Sequence, residues 1–98
     1  MSILDDAFEL AKAAVGSAGE EEARNQLRRR YPKASENEIA DAYHKARKLV
    51  NACYDFGERC REKVMTDDEA LQKMQKKFPG FSHSTYRTAL SYGYFVSR

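Results

Sequence analysis

The chain has no tryptophan, two cysteines, two prolines and two histidines in 98 residues. Each scarcity excludes something. Cys53 and Cys60 lie seven apart on one helical pattern, so their Cα atoms would stand about 10 Å apart. That exceeds the roughly 7 Å over which two cysteines can be bridged. They read as two small buried thiols in a reducing compartment, with an intermolecular disulfide as the alternative. His44 and His83 show neither metal-ligand spacing with these thiols nor an order of acid, base and nucleophile that assembles a catalytic set. Glycines are few and scattered, which excludes a phosphate-cradling loop. Asp55-Phe56-Gly57 matches a kinase magnesium motif by chance, since it falls inside a helical repeat and no catalytic loop accompanies it. No apolar run approaches 18 residues, so no membrane-spanning helix is expected. The N-terminus lacks the basic start of a secretory signal. The reading is a cytoplasmic protein without cofactor or metal, and without an enzymatic role.

What the chain does have is helical periodicity. From Ser35 to Val64, Ile39, Ala42, Ala46, Leu49, Cys53, Phe56 and Cys60 recur at steps of three and four. Tyr43, Val50 and Val64 widen that stripe. This predicts one long helix, about 40 Å at 1.5 Å per residue, as the spine of a single domain over residues 1–98. Such a stripe packs inside a bundle; a homodimer built along it is the alternative. Gly57 lies inside the helix and is a point for a bend or an early break.

Shorter helices flank the spine. Ser2 and Asp5 start the first, and Gly16 is expected to end it. Ser17 with Glu20, Ser35 with Glu38, and Thr66 with Glu69 read as capping boxes for the next three. Pro32 and Pro79 stop the second and fourth helices, because the residue before proline avoids helical geometry. Ser82 or Ser84 starts a fifth. No stretch alternates with period two long enough for a strand. The expected class is all-α: about five helices, two helical hairpins around one long central helix.

An internal repeat is the most informative feature. Residues 22–46 match residues 69–93 at a constant offset of 47. In each copy a helix ends in a basic pair, an aromatic residue and proline: Arg29-Arg30-Tyr31-Pro32, then Lys76-Lys77-Phe78-Pro79. A serine-capped helix follows. The aromatic is expected to plug the corner of each hairpin, and the bases sit where the helix dipole favours cations.

Charge follows the repeat. Residues 1–22 carry a net −5, residues 23–33 a net +5, residues 34–68 a net −2 and residues 69–98 a net +4. This places positive charge at the hairpin corners of a polarised surface. The candidate partner-binding residues are therefore Arg28, Arg29, Arg30 and Lys33 in the first copy, and Lys73, Lys76, Lys77, His83, Ser84, Thr85 and Arg87 in the second. Tyr92 and Phe95 join them, because one helix cannot turn all the C-terminal aromatics into one core and interfaces favour such rings.

Gly80-Phe81-Ser82-His83-Ser84-Thr85-Tyr86-Arg87-Thr88-Ala89-Leu90 resembles the turn and recognition helix of helix-turn-helix DNA-binding proteins. The resemblance implies that His83, Ser84, Thr85 and Arg87 face the major groove, while Lys73, Lys76 and Lys77 meet phosphates. The aromatic-proline stop before a serine-capped helix is similar to the compact three-helix ubiquitin-binding domains, whose Met-Phe-Pro turn is the contact surface. The preferred expectation is a small binding protein, an inhibitor or adaptor of a larger complex, acting by protein–protein contact. The alternative is a DNA-binding regulator using residues 69–90.

Overall fold

A computed structural model describes residues 2–98. The protein is all-α: α1 (Ile3–Ala13), α2 (Gly16–Arg30), α3 (Glu36–Arg61), α4 (Asp67–Lys77) and α5 (His83–Val96). Among the described residues there is no strand and no helix long and apolar enough to cross a membrane.

Two compact units divide at Arg47 and Lys48, within the unbroken α3. The first holds α1, α2 and the first part of α3. Its interior is Ala7, Phe8, Ala11, Ala23, Leu27, Ile39, Ala42, Tyr43 and Ala46, all buried. The second holds the rest of α3 with α4 and α5, closed around Leu49, Cys53, Phe56, Met74, Tyr86 and Ala89. Each fully buried Leu27 or Met74 contributes about 2 kcal/mol of apolar transfer.

The units share a sequence register. Leu27 and Met74, Ala42 and Ala89, and Ala46 and Gly93 are equivalent at the offset of 47. Buried Ala7 and Ala11 of α1 correspond to buried Phe56 and Cys60 of α3 at an offset of 49. Each unit holds three helical segments, one more than the hairpin that the sequence match suggests. From Ala11 to Glu22 the first copy has two more residues than the second has from Cys60 to Glu69, which hides that equivalence from an ungapped match.

Helix ends follow local chemistry, with three departures from expectation. Capping boxes form as expected at Ser35–Glu38 and Thr66–Glu69, Ser2 starts α1 with a capping box to Asp5, and Ser82 caps α5. Ser17 and Glu20 form none. Helix α1 stops at Ala13, before Gly16, because Ala14 and Val15 turn extended. Gly16, at φ +69°, then opens α2, whose cap Val15 has no side-chain acceptor. The spine also ends earlier than Val64. Lys63 adopts φ +61°, its amide donates to Cys60 O at 3.1 Å, and the Val64 amide donates to Arg59 O at 2.9 Å. This is the bond pattern of a Schellman stop, with lysine in the left-handed position that glycine usually takes. It leaves Val64 72% exposed rather than on the stripe.

Gly57 does not break α3, which runs on to Arg61. A Cβ on Gly57 would overlap the carbonyl of Gly93 and lie 2.6 Å from the Tyr94 nitrogen. Within the second unit, α3 and α5 meet backbone to backbone at these two glycines. The first unit has Phe8 and Ala46 at the corresponding sequence positions, both buried.

Candidate functional site

The two hairpin corners begin alike. Tyr31 caps α2 at φ −126°, ψ 67°, and Phe78 caps α4 at φ −127°, ψ 70°. Each amide still donates to the carbonyl four residues back, at 2.9 and 2.8 Å. Proline then forbids another turn of helix. Both rings are only half-buried, so neither is the plug that the sequence suggests.

After proline the corners part. In the first, the Ala34 amide donates to Tyr31 O at 3.0 Å, closing an ordinary turn. In the second, Gly80 takes φ +105° and the Tyr86 hydroxyl enters between the equivalent atoms. It donates to Phe78 O and accepts from the Phe81 amide at 3.3 Å. Phe81 turns inward and meets Tyr86 edge to face, with centroids 5.8 Å apart. The buried pair Phe81 and Tyr86 does the sealing there.

Electrostatics separate the corners more sharply. In the first, Arg28 Nε meets both oxygens of Glu36 at 2.9 and 3.0 Å, and its Nη1 donates to Asn25 at 2.5 Å. Arg29 pairs with Glu22 at 2.9 Å and Arg30 lies 3.8 Å from Asp6. The Tyr31 hydroxyl also donates to Asp6, which pushes the Tyr31 pKa up to about 12. Among the described residues, Lys33 is the one of the four candidate cations in this copy that makes no ion pair.

Among the described residues, none of those three ion pairs forms in the second corner. Gln75 and His83 stand where Arg28 and Glu36 stand, and their side chains meet 3.4 Å apart. Lys76 corresponds to Arg29, but Glu69, the counterpart of Glu22, is held by the Thr66 cap at 3.1 Å. Lys77 corresponds to Arg30 and lies 5.8 Å from the Phe78 ring centroid instead of beside an acid. Among the described residues, Lys73, Lys76, Lys77 and Arg87 make no ion pair, and all four are exposed.

Not every candidate belongs to this surface. Thr85 is a correction: it is 7% exposed, and its hydroxyl accepts from Ser82 Oγ at 3.1 Å inside the α5 cap. A threonine three residues after a serine cap serves the cap, and so cannot face a nucleic acid. His83 and Ser84 are exposed on the first turn of α5. Tyr92 is half-buried, whereas Phe95 is 61% exposed with Arg98 stacked 5.1 Å from its centroid.

The sequence reading passed over a groove of about 460 Å³ along α4 and α5. Leu71 and Leu90 line it, with His83 and Arg87 on one part and Asp67 and Asp68 on another. The Tyr94 hydroxyl donates to Asp67 at 2.5 Å, and this bond holds the Tyr94 pKa above its ordinary value. No periodicity marks such a groove, because its residues come from two helices and only the fold joins them.

Cys53 and Cys60 are buried free thiols, and desolvation pushes the Cys60 pKa up, away from the reactive thiolate form. No group of three or more His, Cys, Asp or Glu side chains among the described residues is arranged to hold a metal ion. Comparison with protein-family models, with curated proteins and with solved structures finds no match.

Proposed function

We propose that this chain is a non-enzymatic binding module whose second corner takes an acidic segment of a partner protein. One observation carries the reading. The two corners share a backbone entry, yet the first spends three arginines on its own carboxylates and the second leaves Lys73, Lys76, Lys77 and Arg87 without acids. Exposed ion pairs are worth only about 0.2–1 kcal/mol each to a fold. Their loss therefore costs the fold little, while the freed cations steer and orient an oppositely charged partner. A small inhibitor or adaptor of a larger assembly is the kind of protein that works in this way.

DNA is the second reading, favoured by a helix-turn-helix order of α4 and α5 with Arg87 and Ser84 on the outside. Asp67 and Asp68 weigh against it. They share a groove with Arg87 and His83 and would oppose phosphates brought to the face of α5.

The test is fluorescence anisotropy of a labelled glutamate-rich peptide and a labelled DNA duplex, each at two salt concentrations. The peptide is expected to bind and to weaken with salt. Tight duplex binding, with the steep salt dependence of counterion release, would transfer the reading to nucleic acid. Failure of both probes at low salt would remove the cationic corner as a binding site.

A further inference from the structure

The groove between α4 and α5 has a polarity that the basic corner alone does not explain. Measured along α5, His83 to Tyr94 spans about 16 Å at 1.5 Å per residue, three helical turns. Arg87 stands one turn from the corner. At the far end Tyr94 bonds Asp67, with Asp68 beside it in the first turn of α4. Leu71 and Leu90 lie between these charged ends as the apolar part of the lining. Two neighbouring helices form the kind of furrow into which a third helix packs, at about 8–10 Å between axes. Apolar anchors spaced three and four apart would then lie over the leucines.

We propose that this groove receives a short amphipathic helix of the partner protein, about three turns long, acidic where it meets Arg87 and basic where it meets Asp68. Charge complementarity selects this occupant over the alternatives. A uniformly acidic strand would oppose Asp67 and Asp68, and so would a nucleic-acid backbone. An uncharged helix would leave Arg87 and Asp68 without counterparts. The inference rests on the proposed binding role and adds what the partner must carry: a base and an apolar stripe beside its acids.

The experiment is an amide-resolved NMR titration of the full chain with three probes. The first is a twelve-residue helical peptide with leucines at helical spacing, two lysines at one end and two glutamates at the other. The second has glutamates at both ends, and the third is a twelve-base-pair duplex. The mixed peptide is expected to move the amides of Leu71, Leu90 and Ser91, and to bind more tightly than the acidic one. Asp68→Lys should invert that preference by about two- to fivefold, the range of one exposed charge pair. Asp67 is left in place so that its bond with Tyr94 persists. Leu71→Ala should weaken both peptides at the groove amides.

If the acidic peptide moves only the amides of Lys76, Lys77, Phe78 and Gly80 and the groove stays silent, the groove assignment fails and the basic corner stands. If neither peptide moves any amide, both readings fail. A response to the duplex alone, at Ser84 and Arg87, overturns the protein partner in favour of nucleic acid.

Discussion

Gly57 of α3 and Gly93 of α5 sit backbone against backbone, with no room for a methyl group on either. A Cβ on Gly93 would overlap the Cys53 carbonyl oxygen and come within 3.2 Å of the Gly57 nitrogen. Helix propensity alone predicts that alanine at either site stabilises by about 1 kcal/mol. Contact reverses that sign. Gly57→Ala and Gly93→Ala should each destabilise by about 2 kcal/mol or more, because the obstacle is backbone rather than a movable side chain. Urea unfolding of the two variants checks this; a gain in stability for either would contradict the close crossing.

Tyr86 couples packing to turn geometry. Tyr86→Phe keeps the ring but strands the Phe78 carbonyl and the Phe81 amide in a corner that no longer closes on itself. A loss of about 1–3 kcal/mol is expected from groups left without a partner. Gly80→Ala should cost about 1–2 kcal/mol, since φ +105° strains any residue with a Cβ. The equivalent exchange in the first corner, Ile39→Leu, touches no turn hydrogen bond and should cost about 1 kcal/mol by shape alone.

Two helix ends are open to improvement. Val15 caps α2 with no side-chain acceptor while 85% exposed, so Val15→Asp should add a cap and a favourable dipole contact worth about 1 kcal/mol. Lys63 holds a left-handed conformation that glycine adopts without strain, and Lys63→Gly should stabilise by up to about 1 kcal/mol. Thermal unfolding of the two single variants and their combination measures both gains. The effects should add, because the sites share no partner.

High pH tests the bond between Tyr31 and Asp6. The folded pKa of Tyr31 is raised from 10.0 to about 12, chiefly by that hydrogen bond. A raised pKa means that the neutral phenol stabilises the fold. The contribution is complete below pH 10 and is lost as pH rises through 12. Unfolding midpoints should therefore fall more steeply between pH 10 and 12 for the natural chain than for Tyr31→Phe. Parallel curves would show that the hydroxyl contributes nothing.

Much of the fold was readable from local chemistry. The stripe from Ile39 to Cys60 is buried along its length, and serine or threonine caps start four of the helices. These signals act over three or four residues, which is the range a pattern in one chain can carry. The misses are tertiary. Nothing near Gly57 in sequence announces that Gly93 will lie against it. Thr85 reads as a surface polar residue until its hydroxyl is seen inside the Ser82 cap. Val64 continues the stripe arithmetically, yet Lys63 has already reversed the chain. The candidate cations were found from where charge falls along the repeat. Which of them are free was not, because Glu22 and Glu69 occupy the same repeat position and differ only in what else they bond.

The central claim is that freeing the second corner from internal acids creates the binding surface. It is tested most directly by measuring the affinity of a glutamate-rich peptide for two triple variants, Arg28→Glu/Arg29→Glu/Arg30→Glu and Lys73→Glu/Lys76→Glu/Lys77→Glu, with circular dichroism confirming that both are folded. The account predicts near-natural affinity for the first variant. It predicts a loss of about tenfold or more for the second, as expected when three steering charges are reversed. Equal losses in the two, or a larger loss from the arginines, would contradict it.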